Sequence, residues 1–475
     1  MFGFMRKRHQ TAERWAITRE LEAVGLLPDE TERGGIVLGE WRDPKGERRL
    51  VRHLGAEHVL VVAPCRSGKT AGISVPTLLS WEDSVLVVDV KGESYGATGE
   101  FRDRVLGQRV LRFEPGLRDS ARFNPLREIQ SARDLVKEAR HLCALLVNPD
   151  QREDLDHWTL AATGMLIALV LFVCLDEDSI GVITEASLAT VLAILTDGGP
   201  LRAAHPQHPM KMAEASSVLN AFCVIREVAA HFSARFAATG FDEHAAHFAA
   251  WKFVEEIMED WLDRPPQEFA GVVATGRRAL TVFADPMIAA HTRESDFSIE
   301  SLMSVGGKTS LYVTASPIDY QRHQVLAKIV VDMVIRRRLE GFGQKKPEGR
   351  LLLLIDDLGV FGRLPVLAEG LARFGGCAMT GVLVAQSIEQ ISKTYRGTEV
   401  GSVVASCGLQ VAYTPSSLET AEFFARRTGI SAADIMRTPQ DEALLFMAGR
   451  RPFRCRKIKY YCDEPFKTRA NSASG

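Results

Sequence analysis

The stretch Ala63-Pro64-Cys65-Arg66-Ser67-Gly68-Lys69-Thr70 constrains this chain more than any other. It follows a short apolar run, His58–Ala63 (HVLVVA), and leads into a stretch compatible with helix as far as Leu79. The chain must therefore leave a strand, turn tightly and start a helix within a few residues. A loop of this kind can close its backbone N–H groups on phosphate oxygens, and the following helix presents its positive dipole end to them. Lys69 adds a cation for the β- and γ-phosphates, and Thr70 adds a hydroxyl for Mg²⁺. The pattern is a P-loop with Ala63 in the first glycine position, and residues 63–70 are the expected phosphate-binding set.

Downstream, Ser84–Val90 (SVLVVDV) is a second continuous apolar run, so strand, loop, helix and strand form a βαβ unit. Strands apolar on both faces belong to a parallel sheet covered on both sides. The same signal returns at Ser310–Thr314, Arg350–Asp356, Thr380–Gln386, Leu409–Tyr413 and Ala443–Met447, with helical spacing between. From about residue 128 to 299, Ala, Leu, Met and charged residues recur at helical intervals instead. The predicted organisation is an N-terminal arm (1–50), an α/β domain made of 51–127 and 300–465, an all-α insertion (128–299) and a flexible tail (466–475).

Leu351–Ile355 runs straight into Asp356 and Asp357, the Walker-B arrangement in which a strand end places a carboxylate next to the metal. Lys plus Arg number 58 against 60 Asp plus Glu, a net charge of -2, so the chain cannot coat nucleic acid indiscriminately. Any such contact must be a local patch, and Arg6–Arg8, Arg277–Arg278, Arg336–Arg338, Arg426–Arg427 and Arg450–Lys459 are the basic clusters available. The eight cysteines are scattered without a C-x-x-C pair, which points to a reducing compartment. The N-terminus lacks the apolar core of a signal peptide. Leu160–Leu175 is apolar, but it falls short of the ~20 residues a span needs and lacks basic flanks, so it reads as a buried core helix.

Several stretches, taken in order, resemble the TraG-type coupling proteins of conjugation and type IV secretion, P-loop ATPases related to the HerA/FtsK translocases. They are APCRSGKTAGISVPTLLSWEDSVLVVDVKGES (63–94), RFNPL (122–126), DHW (156–158), LLLLIDDLGVFGRL (351–364), VLVAQS (382–387) and DEALLFMAGRRPFRCRKIKYY (441–461). The likeness is weakest over about 180–270. It implies a RecA-like P-loop NTPase domain with a mostly parallel sheet, interrupted by the all-α domain.

The same resemblance implies roles. Lys69 would hold nucleotide phosphate, Thr70 would ligate Mg²⁺, and Asp356 would position the metal. Asp357 stands where the family usually has the Glu that polarises the attacking water, and Gln386 matches its sensor of the γ-phosphate. Asp89, Lys91 and Glu93 match a D-x-K-G-E segment. Arg373 and Arg363 are candidates for an arginine finger given to a neighbouring subunit.

The implied cofactors are ATP and Mg²⁺. The implied partners are a DNA or nucleoprotein substrate such as a relaxase complex, secretion-channel components and further copies in a homo-hexamer. Two departures stand out: Asp357 is one methylene short, which predicts slow hydrolysis, and the family's usual pair of N-terminal membrane helices is missing. The expected location is the cytoplasmic face of the inner membrane, reached through partners. The alternatives are a HerA/FtsK-like DNA translocase and a nucleotide-gated docking platform that hydrolyses weakly.

Overall fold

The computed structural model describes residues 15–29, 34–43, 45–150, 152–179, 182–204, 217–239, 245–304, 306–315, 318–340 and 349–472. The chain divides into two compact units, one of Met1–Arg112, Ile299–Tyr320 and Val331–Gly475, the other of Phe113–Ser298 and Gln321–Val330.

The first unit is built on an 11-stranded sheet. Its strands are β1 (Ile36–Arg42), β2 (Arg48–His53), β3 (Val59–Val62), β4 (Ser84–Asp89), β5 (Arg109–Phe113), β6 (Thr309–Thr314), β7 (Leu351–Asp356), β8 (Met379–Ala385), β9 (Leu409–Ala412), β10 (Glu442–Met447) and β11 (Phe453–Arg456). Their spatial order is β2-β1-β11-β10-β9-β3-β8-β7-β4-β6-β5. The middle of the sheet, β9-β3-β8-β7-β4-β6, is parallel throughout. Every residue of β4, β6, β7 and β8 is buried, as expected of strands covered on both faces.

Register decides what meets at the ends. Val62 pairs with Ala385 and with Ala412, while Asp356 pairs with Asp89 and with Val384. The carboxyl ends of β3, β4, β7 and β8 therefore finish level with one another. In open α/β sheets that edge, where chain order reverses, is where ligands bind.

The strands β10 and β11, with β1 and β2 beyond them, extend the sheet by antiparallel pairing. The predicted arm is thus corrected: Ile36–Arg42 and Arg48–His53 are two sheet strands. The apolar run of β1 (IVLGEWR) is broken by Gly39 and ends in charges, and β2 (RRLVRH) carries the charges typical of the edge strand it is, which hides the strand signal. A short helix at Thr18–Ala23 precedes them, and residues 1–14 of the predicted arm lie outside the described residues. The predicted tail is also corrected. Phe466–Asn471 is a helix with Phe466 buried, and Arg469 donates to the Leu79 carbonyl at 2.9 Å.

The second unit is helical, with long helices at His157–Ser179, Ser217–Thr239, Ala245–Leu262 and Pro266–Ala279. It begins earlier than the composition shift suggests. Asn124 accepts from Leu126 N–H and donates to the carbonyls of Ala186 and Arg293 at 2.7 and 2.8 Å, and Arg122 pairs with Asp296. Phe123 stacks on Phe297. The RFNPL segment is therefore a staple of this unit, its polar groups answered by buried carbonyls. One helix among the described residues, over His157–Asp176, is long and apolar enough to cross a membrane, and 67% of that window is buried within the protein. Met165 to Cys174 are nearly all fully covered, which is how a core helix differs from one facing lipid.

Candidate active site

The P-loop makes its turn through two left-handed residues, Arg66 (φ 59°) and Gly68 (φ 84°). Such backbone can form a concave nest of N–H groups suited to an anion. Ser67 braces the loop by donating from its hydroxyl to the Pro64 carbonyl at 2.7 Å. The helix that follows starts with a π-type turn, Thr70–Ser74, and continues as Val75–Leu78.

At the opposite wall, Thr70 Oγ1 donates to Asp356 Oδ2 at 2.7 Å, and Lys69 Nζ lies 3.6 Å from Asp357 Oδ2. Gln386, one residue beyond β8, donates from Nε2 to the same Asp357 oxygen at 2.7 Å. Its Oε1 in turn accepts from the Cys65 thiol at 3.0 Å. Lys69, Thr70, Cys65, Asp356, Asp357 and Gln386 thus form one connected cluster. Asp357 has φ 93°, a left-handed conformation in which Asp is among the few tolerated non-glycine residues.

Charge in the cluster is unbalanced. Asp89 sits beside Asp356 on the next strand, and Asp357 follows, so three carboxylates face one lysine. Burial pushes Asp356 up to about 6, against the opposing pull of the Thr70 hydrogen bond and the Lys69 charge. Burial likewise raises Asp89, whose carboxylate accepts from Tyr95 N–H at 2.9 Å. The Asp356 Oδ1 atom is buried without a hydrogen-bond partner. An acceptor left unanswered in a buried acidic site fits a divalent cation, held by the Thr70 hydroxyl and, directly or through water, by Asp356. Lys69 and the loop N–H groups would hold phosphate oxygens, and a Mg²⁺ bound there would supply charge neutralisation for the phosphates.

Arg373 is exposed near the end of the helix Pro365–Phe374, and this chain does not bring it to the cluster. The carbonyl of nearby Leu371 accepts from His58, which precedes β3, so that helix end lies at the opposite edge of the sheet. Arg363 is engaged in a two-pronged ion pair with Glu399 at 2.9 and 2.8 Å. Among the basic clusters, Arg338 is buried and donates to Gly349 O, Arg427 lies over the Phe423 ring, and Arg456 is clamped by Glu40 and Asp463. Arg277 and Arg278 are exposed in the last turn of their helix, and Arg6–Arg8 lie outside the described residues.

Gln390 joins the cluster and Tyr320 lies within reach of its charge. Gln390 contacts both Asp357 and the Gln386 main chain. The only trace of it in the sequence is the i, i+4 spacing of Gln386 and Gln390 across a Ser387 helix cap. Tyr320 has a buried hydroxyl without a hydrogen-bond partner, and burial together with the Asp357 charge raises its phenol. Nothing local in the sequence marks it.

A parallel sheet with a P-loop at its carboxyl edge, answered by a buried Walker-B aspartate, defines a P-loop nucleotide-site protein. The chain belongs to the family described as Type IV secretory system Conjugative DNA transfer, which matches residues 14–434. It is 31% identical over 88% of its length to a Conjugal transfer protein TraG of Escherichia coli, and 24% identical over 97% to Protein VirD4 of Rhizobium radiobacter. It spans 64% and 65% of those relatives' own lengths. Its fold is similar to that of the plasmid coupling protein TrwB solved with ADP and Mg²⁺, with TM-score 0.62, 15% identity, and coverage of 94% of this chain and 93% of that one.

Proposed function

We propose that this chain binds ATP·Mg²⁺ through residues 63–70, Asp356 and Asp357, and acts as a coupling ATPase. In a homo-hexameric ring it would pass a DNA or nucleoprotein substrate, such as a relaxase complex, to a type IV secretion channel at the cytoplasmic face of the inner membrane. The observation that carries this reading is the 2.7 Å contact of Thr70 with Asp356, with Lys69 and Gln386 converging on Asp357. The family match and the names of the relatives supply the biological setting.

Asp357 would polarise the attacking water, and Gln386 would report the γ-phosphate. Loss of that phosphate would return Gln386 to Asp357 and shift the interface with a neighbouring subunit, where Arg373 would reach the adjacent site. The short Asp357 side chain would slow the step, since a displacement of ~1 Å can cost ~10²-fold. Asp357→Glu should then raise turnover.

The test is ATP turnover by the purified full chain, with and without single- and double-stranded DNA, against Lys69→Ala. Turnover above that control and stimulated by DNA supports the coupling ATPase. ATP binding without turnover favours instead a nucleotide-gated docking platform, the reading to which the Asp357 departure lends weight.

A further inference from the structure

Gln390 reaches both groups assigned to the chemistry. Its Oε1 accepts from the Gln386 main-chain N–H at 2.8 Å, and its Nε2 donates to Asp357 Oδ1 at 3.3 Å. We infer that Gln390 is a positioning residue that anchors Asp357 Oδ1 and leaves Oδ2 as the oxygen that works on the attacking water. The inference rests on the ATPase reading above.

The two oxygens of Asp357 have different neighbours. Oδ1 is held by scaffold alone, by Gln390 Nε2 and by the Val360 N–H at 3.4 Å. Oδ2 is held by Gln386 Nε2 at 2.7 Å and lies 3.6 Å from Lys69 Nζ. Lys69 and Gln386 are the two groups that a bound triphosphate would engage for itself. Once they turn to phosphate, Oδ2 is released while Oδ1 stays tied. Because a carboxylate is planar and its last torsion is soft, fixing one oxygen sets the direction in which the other points. A short side chain on a left-handed backbone has the greatest need of such an anchor.

Gln390 is itself held on both sides. Ser387 caps its helix, Ile388–Thr394, and accepts from Gln390 N–H at 3.2 Å. Thr420 Oγ1 accepts from Ile388 N–H at 3.0 Å and donates to Glu389 at 2.6 Å, docking the first turn. On the other side the carboxamide lies against Gly359, where an added Cβ would stand 2.1 Å from Gln390 Cδ. Its Nε2 and Cγ would lie within 2.3 Å as well, so a Cβ there would drive the whole Gln390 side chain off Asp357, and Gly359 is the residue that makes room for the anchor. The Asp-Asp-Leu-Gly and Gln-Ser-x-x-Gln stretches thereby become two halves of one device.

The experiment compares wild type, Gln390→Ala, Gly359→Ala and the double variant as full chains, measuring kcat, KM, affinity for a fluorescent ATP analogue and thermal midpoint. Each single variant is expected to lose ~10-fold in kcat, with KM and nucleotide affinity within ~2-fold of wild type. Gly359→Ala should cost nothing further once Gln390 is Ala, because the group it displaces is gone. Unchanged kcat in Gln390→Ala, additive losses in the double variant, or a loss confined to nucleotide affinity would each overturn the inference. A wild-type chain with no turnover above Lys69→Ala overturns the ATPase reading itself, a result distinct from any of these.

Discussion

Thr70 Oγ1 and Asp356 Oδ2 lie 2.7 Å apart although 286 residues separate them in the chain. Most of the intervening sequence folds as the separate helical unit, so the contact depends on the sheet alone. The strands β3 and β7 flank β8, and parallel register brings their ends level. Hydroxyl and carboxylate are then presented at hydrogen-bond distance, without the inserted helices having to take part.

The raised Asp356 carboxyl makes cation binding a proton exchange. Its value of about 6 lies above the ordinary 3.8, so the folded state binds the proton more tightly than the unfolded chain. The resulting penalty is full above about 6 and is relieved as pH falls toward 3.8, so this group makes the cation-free fold more stable on acidification across that window. Mg²⁺ binding in the presence of nucleotide should release about half a proton per chain from this group near pH 6, and should weaken at lower pH. Calorimetry in two buffers of different ionisation heat measures the release, with Asp356→Asn as the reference. Equal release by both proteins would exclude Asp356 from the cation site.

Cys65 offers a direct probe of occupancy. Its thiol is exposed in the phosphate loop and donates to Gln386. Maleimide labelling at Cys65, followed by peptide mass spectrometry, should be slowed at least ~10-fold by saturating ATP and Mg²⁺. Exposed Cys462 serves as the internal control and should react at the same rate throughout. Labelling of Cys65 that ignores nucleotide would place the ligand elsewhere.

If Arg373 acts in trans, neither Arg373→Ala nor Lys69→Ala alone should turn over ATP, yet mixtures of the two should recover part of the activity. Hybrid interfaces would pair an intact P-loop with an intact arginine. Arg373→Ala should also bind nucleotide as well as wild type, since within its own chain it is remote from the loop. Mixtures as inactive as either parent would remove Arg373 from the site.

Arg102 is a structural keystone. Fully buried, it donates to the carbonyls of Leu78, Trp81 and Asp83 and to Ser310 and Gln108, all within 2.5–2.8 Å. Burial lowers its guanidinium only to about 10, so it stays charged at neutral pH. Arg102→Met would strand several buried acceptors at about 1–3 kcal/mol each. Urea unfolding should register a loss above ~3 kcal/mol, and a loss below ~1 kcal/mol would show that water or repacking answers those carbonyls instead.

The seven predicted strands correspond to β3, β4, β6, β7, β8, β9 and β10, because each is centred on apolar residues that are mostly buried. The strands without that signature, β1, β2, β5 and β11, carry arginines and glutamates that pair across the sheet or meet solvent, as Glu40 does with Arg456. The P-loop and Walker-B stretches were legible because each packs several chemical requirements into adjacent residues. Gln390, Gly359 and Tyr320 were not, because the role of each exists only against a residue far away in the chain.

Residue order along the chain settles which groups are available: a phosphate loop, a hydroxyl, a lysine, paired aspartates and strands apolar enough to be covered on both sides. Those properties are local, and a short window of chain carries them. The tertiary structure alone decided which carboxylate oxygen faces scaffold and which faces ligand, that Arg363 is already paired, and that Asp356 is buried with one acceptor unanswered. Such properties depend on distance and dielectric, and neither has a value until the chain has closed on itself.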